Sequence, residues 1–141
     1  ITCTKTVRIK MILYTFLLFF IQQAFALTAD CNGTIIVTVD NNGPDKMSAT
    51  NGSFQLLMKN DGTATMSISA SNMPTLKGTG KETGNEKNPW DLSAVDDGGN
   101  QFSGGFTVLD PLVSADTNLY ILLDLKSTSM AISSPMTCVM K

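Results

Sequence analysis

From Leu27 onward, apolar and polar residues alternate with a period of two, and Gly, Asn and Asp break the alternation at short intervals. That is the pattern of half-buried strands joined by tight turns. Thr34-Ile35-Ile36-Val37-Thr38-Val39 is β-branched throughout and opens the fold. Ser53 to Lys59 puts Phe54, Leu56 and Met58 on one face. Thr63 to Ala70 turns Ala64, Met66, Ile68 and Ala70 inward and Thr63, Thr65, Ser67 and Ser69 outward. Asp110-Pro111 marks a strand end before a looser stretch through Asn118. Leu119 to Lys126 reads as a central strand, with Leu119, Ile121, Leu123 and Leu125 on one face and Tyr120, Leu122 and Asp124 on the other. A short strand around Ala131 and another from Met136 to Met140 finish the chain. The expected class is all-β: a single antiparallel β-sandwich or small β-barrel of about seven or eight strands. Periodicity does not show whether the edges meet.

Two hairpins can be set in register. Between the second and third runs, a two-residue Asp61-Gly62 loop would oppose Met58 to Thr65, an apolar face to a polar one. A three-residue loop, Asn60-Asp61-Gly62, instead pairs Met58 with Ala64, Leu56 with Met66 and Phe54 with Ile68. A slip of one residue flips every side chain, so the longer loop is selected, with Gly62 left-handed. The same reasoning at Asp97-Gly98-Gly99 pairs Ala94 with Phe102, Leu92 with Gly104 and Trp90 with Phe106. Gly104 then makes room for Leu92 or marks a bend.

Ahead of this region the pattern changes. Ile12 to Ile21 is apolar apart from Thr15, too short for the roughly 20 residues of a membrane-spanning helix. Lys5, Arg8 and Lys10 precede it, and Ala24-Phe25-Ala26 follows. Basic flank, short apolar core and a small-x-small exit predict a helical secretory signal cut after Ala26. Residues 1–26 are read as upstream sequence plus this signal, with Met11 a candidate initiator, and residues 27–141 as one secreted β-rich domain. The expected localisation is extracellular.

Cleavage would change the charge. Seven Lys and no Arg would remain against twelve Asp and Glu, a net charge of −5. An acidic, Arg-free domain is poorly equipped to neutralise a phosphate backbone, so no nucleic-acid partner is expected. Cys3 would leave with the signal, and Cys31 and Cys138 would remain. In an oxidising compartment such a pair predicts a disulfide from first strand to last. For a loop this long the chain-entropy model gives about 4.7 kcal/mol. The chain has no His and these cysteines have no C-x-x-C spacing, so no metal or cofactor is expected.

Candidate chemistry is thin. Without His, a Ser or Cys nucleophile lacks its usual base. Paired carboxylates could hydrolyse a glycoside, but Glu82 and Glu86 are the only Glu residues, and both lie in a polar stretch. Asp40-Asn41-Asn42-Gly43-Pro44-Asp45 has glycine in the wrong place for an EF-hand loop, and an Asx-capped turn is expected. Met73 to Asn88 is read as a Gly-punctuated loop or ragged edge strand carrying Lys77, Lys81, Glu82, Glu86 and Lys87, the place to look for a binding surface. Asn32-Gly33-Thr34 and Asn51-Gly52-Ser53 are candidate N-glycosylation sites, expected at turns, though Cys31 adjoins the first. Size and strand count suggest lipid-carrying extracellular barrels, but no Gly-x-Trp opens the first strand, so the likeness is one of fold alone. The expected function is a secreted, non-enzymatic binding protein acting through surface loops. A carrier of a small apolar ligand is the alternative, and a carboxylate hydrolase the third reading.

Overall fold

A computed structural model describes residues 27–40, 42–109 and 118–141. The expected leader, the initiator at Met11 and the strand end at Asp110-Pro111 lie outside the described residues. Eight strands follow in order: β1 (Leu27–Val39), β2 (Lys46–Met58), β3 (Thr63–Ala70), β4 (Leu76–Glu82), β5 (Trp90–Val95), β6 (Gln101–Val108), β7 (Asn118–Lys126) and β8 (Met130–Met140). Each pairs antiparallel with the next, and β8 returns to pair with β1, closing a barrel. The edges meet, so the fold is a barrel and not a sandwich. Closure leaves no row of unpaired backbone groups along the sheet, which an open meander would have to protect.

The interior is a packed core. Ile35, Phe54, Leu56, Ile68, Leu76, Ile121, Leu123, Leu125 and Ile132 are almost wholly buried, with Trp90, Leu92, Phe102 and Phe106 joining the same cluster. Outward positions carry mainly Thr, Ser, Asn, Lys and Asp. Eight strands enclose a space that side chains can fill, and here they do.

Both hairpin registers agree with the pattern of the sequence. Met58 pairs with Ala64, Leu56 with Met66 and Phe54 with Ile68, and Gly62 has φ +82°. Ala94 pairs with Phe102 and Leu92 with Gly104, with Gly99 left-handed at φ +82°. The expected Trp90–Phe106 pair does not form. The β5–β6 ladder ends at Asp91–Gly105, and beyond it β6 turns to the preceding loop, where the Val108 N–H donates to the Lys87 carbonyl at 2.8 Å. Phe106 meets Phe54 edge-on across the core instead, with ring centroids 6.2 Å apart.

The closing seam between β1 and β8 is stapled. Cys31 faces Cys138 directly, their Cα atoms 3.9 Å apart, and their sulfurs form a disulfide inside the barrel, each residue 1% exposed. So close a pair marks a non-hydrogen-bonded position, and ladder positions alternate. Thr34 opposite Pro135, three residues along, is therefore a hydrogen-bonded position where Pro supplies no N–H. The β1–β8 ladder skips this point, running from Gly33–Met136 to Ile36–Ser133, while β7 stays paired with β8 throughout. Ser134 fills the gap: its hydroxyl donates to the Thr34 carbonyl at 2.7 Å. It is the one fully buried polar residue among those described. This explains why β8 is one continuous strand where the sequence suggested two short ones.

Candidate functional site

With the interior occupied, contact chemistry falls on the outer wall and the loops. Glycine shapes that wall. A Cβ at Gly78 would lie 1.9 Å from the Ser93 carbonyl oxygen, and one at Gly104 2.0 Å from that of Asp124. Backbones approach most closely at these points, and grooves open beside them on the outside.

Among the described residues a large outer groove, about 680 Å³, crosses β4 to β7 and reaches the β7–β8 turn. Its polar wall is made by Lys77, Ser93, Gln101, Ser103, Lys126 and Thr128. Lys77 also borders a groove of about 320 Å³ beside β2 and β3, and Lys126 borders one of about 350 Å³ around Gly105. The two lysines thus stand on opposite rims of the large groove. Neither forms an ion pair among the described residues, and no carboxylate lines the groove.

The groove around Gly105 brings Asp91 and Asp124 to one wall. Gly105 pairs with both, placing the two strands about 9.5 Å apart. Both carboxylates are exposed on an open surface. Sequence reasoning missed this pairing because the residues are far apart in the chain and share only an outward phase.

The polar segment singled out in the sequence is not one loop. Lys77, Lys81 and Glu82 belong to β4, and Glu86 and Lys87 to the β4–β5 loop. Nor is β4 an edge strand, because it pairs with β3 and with β5. Its alternation was hidden by Gly78 and Gly80, which occupy inward positions where an apolar side chain would otherwise announce a strand. Lys81 faces Asp91 across the ladder. The loop is held by its own side chains: Thr83 Oγ1 donates to the Asn88 carbonyl at 2.6 Å, and Thr107 Oγ1 to Asn88 Oδ1 at 2.9 Å.

The two sequons are on strands, contrary to the expectation of turns. In the β1–β2 ladder Asn32 faces Ser53, Gly33 faces Gly52 and Thr34 faces Asn51, so the two tripeptides lie antiparallel against each other. Both asparagines are exposed on the outer face. Around an eight-stranded barrel this wall is opposite β5 and β6, away from the large groove.

Three carboxylates are held below the ordinary Asp value by hydrogen bonds. Asp30 is lowered by Lys141, 2.9 Å away, and then by Gln55. Asp61 is lowered by the hydroxyl and backbone N–H of Thr63. Asp96 is lowered by the side chain and then the backbone of Asn100, with help from Gly98. The last two are turn locks rather than reactive groups. Asp40 likewise accepts from the Asn42 N–H at 3.3 Å, forming an Asx turn. Among the described residues no group of three or more Cys, Asp or Glu is placed to hold a metal ion.

No helix among the described residues is long and apolar enough to cross a membrane. No protein-family model matches this chain, and no curated protein matches it significantly, so its surface must be read from its own chemistry.

Proposed function

We propose that the protein is a secreted, non-enzymatic interaction module that meets an extracellular macromolecule through its outer wall and loops. The packed interior carries this reading. A carrier needs an internal cavity for its ligand, whereas Phe54, Trp90, Phe102, Phe106 and the aliphatics around them fill the barrel. The outer faces are polar and the inner faces apolar, the reverse of a membrane-spanning barrel. The Cys31–Cys138 bond suits an oxidising compartment. Asp91 and Asp124, the described carboxylates that share a groove, stand on the open outer wall without the enclosure that excludes water.

Native mass spectrometry of the protein exported by a secreting host tests the proposal. The expected species begins at Leu27, has its cysteine pair oxidised and carries no small molecule. A co-purifying apolar ligand would turn the assignment to a carrier, and a retained leader would remove the case for export.

A further inference from the structure

The large groove over β4 to β7 gathers two lysines on an acidic domain. The chain from Leu27 onward is acidic, with twelve carboxylate residues against seven lysines. Two of those lysines, Lys77 and Lys126, rim this one groove, which no carboxylate lines. Ser93, Gln101, Ser103 and Thr128 supply hydroxyl and amide groups between them. We propose that this groove binds an anionic polysaccharide, with carboxylate or sulfate groups meeting Lys77 and Lys126 and sugar hydroxyls meeting the floor. The inference rests on the outer-wall reading above and assigns the partner's chemistry.

Spacing favours a chain over a single ion. Lys77 is on β4 and Lys126 on β7, three strand spacings or about 14 Å apart across the sheet. A polymer with repeated anionic groups meets both ammonium groups, while a lone anion would have to draw both stems across the floor. Backbone pairing by an extended peptide has little room, because β4, β5 and β7 are laddered on both sides here and β6 from Ser103 onward, with Gln101 and Phe102 the groove residues outside the β6–β7 ladder. The apolar anchors that peptides use are also sparse, with Val95 the exposed apolar side chain in the groove. The sequon-bearing wall is on the far side, so glycans there would leave the groove open.

Titration calorimetry of the oxidised exported protein provides the test, using a heparin-derived oligosaccharide, an oligogalacturonate, a neutral dextran oligomer and polyglutamate. The expected result is binding of at least one anionic oligosaccharide and none of dextran, weakening as salt rises from about 0.05 to 0.5 M. Lys77→Gln/Lys126→Gln should lose about tenfold in affinity, while Lys46→Gln/Lys59→Gln, an equal charge change elsewhere, should bind like the parent. All four side chains are exposed, so both variants are expected to fold. An equal loss in both variants would mean diffuse charge attraction and overturn the site. Failure of both anionic oligosaccharides would overturn the proposal. Tighter binding of polyglutamate through the same two lysines would also overturn it, while leaving the outer-wall reading in place.

Discussion

Removing the Ser134 hydroxyl should loosen the barrel at the point where its ladder is already interrupted. Ser134 is 0% exposed, and its Oγ donates at 2.7 Å to the Thr34 carbonyl, which faces Pro135 and receives no N–H from it. In Ser134→Ala that carbonyl loses its side-chain donor, at a cost of about 1–3 kcal/mol. For a domain of about 115 residues, 1 kcal/mol corresponds to about 4 °C in melting temperature, so the expected fall is about 4–12 °C. Urea unfolding with the disulfide intact should show a lower midpoint at an unchanged slope. Pro135→Ala supplies the discriminating background, because its alanine N–H can donate to the same carbonyl. There, loss of the Ser134 hydroxyl should cost less than about 1 kcal/mol, a coupling that a double-mutant cycle measures. If Ser134→Ala costs the same in both backgrounds, the hydroxyl does not stand in for the missing N–H. If it costs nothing in either, Thr34 needs no side-chain donor.

Three further outcomes follow from the seam, the turns and the close approaches. Cys31→Ala/Cys138→Ala should lose about 2–5 kcal/mol in urea unfolding, because the bond closes a sequence separation of 107 residues. A loss below 1 kcal/mol would mean that backbone pairing alone holds the seam. The stability lent by Asp61 and Asp96 should be fully present above the ordinary Asp value of 3.8 and lost as pH falls through their lower folded values. Asp96→Asn should flatten that acid limb, and an NMR titration placing Asp96 at or above 3.8 would contradict the turn geometry. Gly78→Ala should cost about 1–3 kcal/mol or more, since its Cβ would meet backbone at 1.9 Å, whereas Gly98→Ala, whose nearest contact is 3.4 Å away, should be close to neutral by thermal melting.

The legible parts of the fold were those set by local pairing. Gly62 and Gly99 fixed two turns because only one loop length keeps Met58 and Ala94 on the inner face. Other features were illegible for physical reasons. Pro135 reads as a strand breaker, and nothing in the linear sequence shows that Ser134 would face the Thr34 carbonyl. Gly78 and Gly80 leave β4 without the apolar period that reveals β3. Trp90 was matched to Phe106 by extending a ladder that bends away at Gly105. Closure itself depends on β1 meeting β8, a contact between the two ends of the domain that only the cysteine pair hinted at. The candidate groove is built from outward residues of four strands, so its members are scattered, and of them Lys77 alone lies in the polar segment that stands out in the sequence. The face-to-face sequons were hidden because β2 begins at Lys46, well before its apolar alternation becomes visible.

The central claim is that an exported barrel is closed at its β1–β8 seam by sulfur. Peptide mapping of the exported protein under non-reducing conditions, with free thiols alkylated, addresses it in one measurement. The account predicts an N-terminal peptide starting at Leu27, joined through Cys31 to the peptide containing Cys138. Alkylated Cys31 and Cys138 in the folded protein, or a first peptide still carrying Phe25 and Ala26, would contradict it.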